Sequence, residues 1–206
     1  MTKIFIEAEK EDTPEHYFLQ SIIKAFFPEK DVSFVHMKGI GNLFNQAILN
    51  QIKLAQEIGE QVVVFADADT KAKKSGYEDR KSEIESGMIN NEVSFSYFLY
   101  PNNQDDGDVE NLMESAVRRD LHPIFFECFE DYEKCVSGAK DDNGCHKYNV
   151  PNLKSKLHTY MTAQKLSRKY RDRLGRGDWL FDNKDYWDLN VEDLRPLKDF
   201  LKENLK

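Results

Sequence analysis

A chain of 206 residues, 40% hydrophobic and 12% aromatic, is long enough for one packed domain and too apolar to remain disordered. Its formal charge of −8 argues against a general electrostatic coat for nucleic acid, and its three cysteines, an odd number, against a disulfide framework. No stretch approaches the apolar length of a membrane span. The opening Met1–Glu7 turns acidic too soon for a signal peptide, so a cytoplasmic location is expected.

Ile4-Phe5-Ile6 reads as a short strand ending in Glu7, followed by a polar loop. Thr13 then Pro14 is a helix start, an N-cap side chain before a proline at the first helical position. Phe18, Leu19, Ile22, Ile23 and Phe26 form the buried stripe of that helix, and Pro28 ends it. Val32–Met37 alternates as a second strand. Gly39-Ile40-Gly41 turns the chain into a helix with Leu43, Phe44, Ile48 and Ile52 inward, stopped near Gly59. Val62-Val63-Val64-Phe65-Ala66 has the continuous apolar character of a strand buried on both faces of a parallel sheet. Thr70–Arg80 reads as a charged loop, Lys81–Ile89 as a surface helix, Ser94–Leu99 as a fourth strand and Val109–Val117 as a further helix.

This alternation predicts an α/β fold, a mostly parallel sheet covered on both faces, over residues 1–120. Residues 121–206 carry helical patterns alone: Phe125–Val136, Leu153–Tyr170 and Val191–Leu205. They predict a helical C-terminal extension packed on the first unit, with which it can form one domain. Trp179, Phe181, Tyr186 and Trp187 are expected to close a core rather than stack on bases, and Cys128 and Cys135, seven apart, to lie on a buried stripe.

Ligands of doubly wound sheets bind outside the carboxyl ends of the strands. Glu7 ends the first strand, Asp67 and Asp69 the third, and the Asp105–Glu110 loop follows the fourth. Alternate strand residues share a side, so Asp67 and Asp69 are expected to face one point. Carboxylates that close repel unless a cation lies between them, and Mg²⁺ takes hard oxygen ligands while keeping waters for a phosphate to replace. The bland alternative is a set of solvated loop acids capping the segments that follow.

Ile6-Glu7-Ala8, Gly39-Ile40-Gly41 and Phe65-Ala66-Asp67-Ala68-Asp69, in that order, resemble the Toprim fold of bacterial primases, topoisomerases, recombination mediators and OLD-family nucleases. Within it, the chain is most similar to small stand-alone prokaryotic Toprim-like proteins, through Leu99–Asn103, Gly107–Leu112 and Leu197–Leu201. Toprim motifs usually place glycine after the first glutamate, where this chain has Ala8. The resemblance implies that Asp67 and Asp69 hold Mg²⁺ (or Mn²⁺), with Glu7 as general acid/base or a further ligand. Glu110 is a candidate ligand too, or a first-turn glutamate favoured by the helix dipole.

Arg168, Lys169, Arg171, Arg173 and Arg176 are the candidate contacts to a phosphate backbone, or else a solvated helix face. Gly39-x-Gly41 lacks the third glycine of a dinucleotide fingerprint, so a plain turn is expected rather than a phosphate cradle. The irregular spacing of Cys128, Cys135, Cys145, His122, His146 and His158 argues against zinc. The expected function is Mg²⁺-dependent phosphodiester or phosphoryl-transfer chemistry on nucleic acid, that of a nuclease in phage defence or DNA repair. An ATPase or another protein would be a separate chain. The alternatives are a non-catalytic module binding nucleic acid or protein, and a metal-dependent nucleotide-sugar glycosyltransferase, whose first strand would not end in an acid. A haloacid-dehalogenase phosphatase would want Thr or Val where Lys71 stands.

Overall fold

The computed structural model describes residues 1–73 and 75–206, so the Lys74 position of the expected 70–80 loop lies outside it. Four strands, β1 (Thr2–Ile6), β2 (Val32–His36), β3 (Gln61–Asp67) and β4 (Ser96–Tyr100), form one sheet in the order β2-β1-β3-β4. Every pairing is parallel, with Ile6 opposite His36 on one side and Phe65 on the other. The expected α/β architecture is therefore present and Rossmann-like.

The period of two along each strand divides the core between the sheet's two faces. Ile4, Ile6, Val63, Phe65, Phe98 and Tyr100 pack on one side, against α1 (Pro14–Phe26) and the C-terminal helices. Phe5, Val62, Val64, Ala66 and Leu99 pack on the other, with α2 (Gln46–Glu57) and α3 (Tyr77–Asn91). Each Phe or Ile so enclosed contributes roughly 1.5–3 kcal/mol. Because α1 and α2 leave on opposite faces, the chain reverses its winding between β1 and β3. That switch point is where ligands enter such sheets.

The C-terminal half shares the first of these cores. α4 (Val109–Ser115), α5 (Pro123–Gly138), α6 (Leu153–Thr162) and α8 (Arg195–Asn204) contribute Leu112, Met113, Phe126, Leu157, Tyr160, Leu197 and Leu201 to it. Trp179, Phe181 and Trp187, each at most 3% exposed, close it as expected, and Trp187 Nε1 donates to the Trp179 carbonyl at 2.7 Å. The last residue, Lys206, donates its backbone N–H to Thr2 Oγ1 on β1. No helix among the described residues is long and apolar enough to cross a membrane.

Local boundaries differ from expectation for identifiable reasons. The continuous helix expected over Leu153–Tyr170 is two, α6 and α7 (Arg168–Leu174), because Leu166 tucks inward and Ser167 caps a new start by accepting the Tyr170 N–H. Helix α2 begins only at Gln46, behind an Asn45 cap, while Ile40–Asn42 forms a short 3-10 turn. Helix α3 begins at Tyr77, within the expected loop, because Asp106, remote in sequence, accepts the Tyr77 N–H. Cys128 and Cys135 are exposed rather than buried: Phe126 and Phe129 set the inward face of α5, and the cysteines lie off it.

Candidate acidic pocket at the sheet switch point

Glu7 follows β1 and Asp67 ends β3, so these two carboxylates come from adjacent strands at the switch point. Glu7 Oε2 accepts the Asp67 backbone N–H at 3.3 Å, which aims its carboxylate along the strand ends. Asp67 Oδ1 accepts the Val109 N–H at 2.9 Å, so the start of α4 is anchored on it. That contact brings Glu110, in the first turn of α4, into the same neighbourhood. The fourth member is Glu15, in the first turn of α1.

These groups lie close enough for each to feel the others' charge. Burial, then the charges of Glu7, Glu15 and Glu110, hold the Asp67 carboxyl well above the usual carboxylate range. Burial, then Glu7 and Glu110, pushes Glu15 up to about 8. Its Oε1 is enclosed and has no hydrogen-bond partner among the described residues, and neither has the hydroxyl of the fully buried Tyr100, which feels both Glu15 and Asp67. Among the described residues, Lys154 of α6 stands at the rim and reaches Glu110 at 3.0 Å, with Lys154 61% and Glu110 11% exposed at the side chain. Burial draws the lysine's pKa down, but Glu110, Asp67 and Glu15 together leave it raised.

Asp69 departs from the expectation that it and Asp67 face one point. Strand β3 ends at Asp67, and Asp69 takes a left-handed backbone (φ +60°) in an antiparallel bridge to Gly107, so the strand alternation does not reach it. Its carboxylate is occupied by two cations, Lys73 at 2.8 Å and Arg80 at 2.9 Å, the latter itself buried. Lys73 also approaches Asp108 at 3.9 Å. Asp69 thus belongs to an ion-pair cluster on the rim, beside the pocket.

Ala8 is buried and is not among the left-handed residues, so the backbone here does not require the usual glycine. Gly39 does need its conformation (φ +102°), and its N–H is spent on the Glu7 carbonyl, which supports the plain-turn reading of Gly39-x-Gly41. Of the basic residues, Arg168, Lys169, Arg171 and Arg176 are exposed on or just after α7, while Arg173 is committed to Asp178 and Asp182 at 2.7 and 2.6 Å. They lie on elements of the C-terminal half.

The profile of DUF3226, described as a protein of unknown function, matches residues 5–206. The chain belongs to the DUF3226 family. Searches of curated proteins and of solved structures returned no match. The matched span of this DUF3226 chain includes every carboxylate of the pocket and Lys154.

Glu15 escaped the sequence reading, although a signal was there. Leu19 and Ile22 follow it by four and seven residues, so Glu15 extends the buried stripe of α1 and is a charge on an inward face. Lys154 gave no such signal, because its pairing with Glu110 depends on how α6 packs against α4.

Among the described residues, the donor set suits a hard divalent cation: four carboxylates, one with an enclosed and unpartnered oxygen, with no sulfur or imidazole beside them. Among the described residues, no three Asp, Glu, His or Cys side chains stand at metal-holding spacing. Gathering them on an ion therefore requires the side chains to draw together and Lys154 to release Glu110.

Proposed function

We propose that this chain is a Toprim-like protein that holds Mg²⁺ or Mn²⁺ in the acidic pocket and acts there on phosphodiester or phosphoryl groups of nucleic acid. The observation that carries the reading is the convergence of Glu7, Glu15, Asp67 and Glu110 from four separate elements on the switch point. Burial, and after it mutual repulsion, keeps two of the four well above their ordinary pKa. Such a cluster disfavours folding unless something positive joins it. Glu7 and Asp67 would hold the ion, with Glu110 and Glu15 able to complete the shell; Asp69, engaged by Lys73 and Arg80, would first have to be released. Bound there, the ion would polarise a phosphoryl oxygen and neutralise developing negative charge.

Nicking of supercoiled plasmid tests the reading. Activity dependent on Mn²⁺ or Mg²⁺, abolished by Asp67→Asn and by Glu7→Gln, is expected. Metal binding with no turnover on DNA or RNA would leave the second reading, a non-catalytic binding module. That alternative is favoured by one observation: Lys154, Lys73 and Arg80 already neutralise Glu110 and Asp69 from within the chain.

A further inference from the structure

A cavity of about 790 Å³ opens between α1 and the segment that follows α7, on a different wall from the acidic pocket. Five cations line it, Lys24, Arg118, Arg173, Arg176 and Lys184, against three acids, Asp178, Asp182 and Asp188. Two of those acids are consumed by Arg173. Lys24, Arg176 and Lys184 are exposed and form no ion pair among the described residues. A local positive excess on a chain of charge −8 marks this cavity as a place where anions are drawn in and elsewhere repelled.

Its position gives the charge a direction. Gly177, left-handed at φ +84°, packs so closely on the start of α1 that a Cβ there would come within 3.0 Å of the Asp12 backbone. The Arg176–Asp178 wall therefore abuts the loop between Glu7 and Glu15, two members of the acidic pocket. At the other end, Arg168, Lys169 and Arg171 extend the basic surface along α7. The floor is apolar, made by Phe181, Trp187 and Leu189, and the half-buried ring of Tyr17 stands in the wall.

We propose that this cavity seats the sugar-phosphate backbone of a single-stranded nucleic-acid segment that leads to the acidic pocket. The inference rests on the nucleic-acid reading above and specifies the form of the substrate. Lys24, Arg176 and Lys184 contact phosphates, and Tyr17 offers a surface to a base or sugar. A duplex carries its phosphates on a convex surface and cannot enter a concavity of this size, whereas a few unpaired nucleotides fill it.

Fluorescence anisotropy with a labelled oligothymidylate, in EDTA so that no cleavage intervenes, tests the proposal. Lys24→Glu/Arg176→Glu/Lys184→Glu should bind at least about tenfold more weakly than the natural chain, and its neutral counterpart, with Gln at all three positions, should lower the salt slope by about 2. Because all three side chains are exposed and form no ion pair among the described residues, unchanged melting temperatures and unchanged Mn²⁺ calorimetry are expected in both variants. Oligothymidylate binding that is the same in all three proteins overturns the groove and leaves the acidic-pocket reading standing. If the natural chain binds no strand at all, the groove and the nucleic-acid reading fall together. Equal affinity for duplex, or competition by thymidine monophosphate as effective per nucleotide as the oligomer, contradicts a strand seat.

Discussion

Replacing Glu15 by glutamine should stabilise the protein at neutral and alkaline pH when no divalent ion is present. Glu15 ionises near 4.5 in an unfolded chain and at about 8 in the folded one, so the folded state holds its proton more tightly. For a carboxyl shifted upward, the stability it supports is full below pH 4.5 and is lost as pH rises through 8. At about 1.4 kcal/mol per pH step, ionisable Glu15 withdraws on the order of 3 kcal/mol from folding at pH 7. Glutamine keeps the shape and removes this term, including the repulsion from Glu7 and Glu110. Urea denaturation in EDTA at a series of pH values should show Glu15→Gln gaining on the natural chain from pH 5 to 8, with the two converging in acid. Added Mn²⁺ should reverse the order, because the natural carboxylate can then be neutralised by the ion. A Glu15→Gln variant that is less stable than the natural chain at pH 8 in EDTA, or a gap independent of pH, would refute the electrostatic picture of the pocket.

Lys154→Met, which removes the rim cation from Glu110, should tighten Mn²⁺ binding by roughly tenfold in calorimetry, since one like charge beside the ion is lost; weaker binding would show that Lys154 supports the site. His16 is buried against His36, ring nitrogens 3.2 Å apart, and burial and then His36 pull it down to about 4. Stability from this pair is full above pH 6.5 and should fall as pH drops from 6.5 towards 4, an effect that His16→Phe, losing the titrating ring, should flatten in the same denaturation series. Gly177→Ala should cost about 1–3 kcal/mol, because the added Cβ meets the Asp12 backbone in a left-handed conformation; a melting temperature equal to the natural chain's would contradict that contact.

Much of the fold was legible because its signals are local. The Val62–Ala66 run reads as an interior parallel strand, and Thr13-Pro14 marks the start of α1 to the residue. Glu7 and Asp67 were found because a topological rule places strand ends together. What the sequence withheld depends on contacts between distant segments. Asp106 starts α3 from a loop 29 residues away, and Lys154 meets Glu110 only once α6 lies on α4. Asp69 was misjudged because strand periodicity was carried past the residue where the strand stops and the backbone turns left-handed. Glu15 was visible in principle, as a charge on an apolar stripe.

The central claim, one divalent ion shared by carboxylates at the switch point, is tested most directly by soaking crystals in Mn²⁺ and mapping its anomalous scattering. A peak touching both Glu7 and Asp67, with Lys154 swung off Glu110, is the expected result. Density confined to Asp69 and Asp108, or none near Asp67, would contradict it.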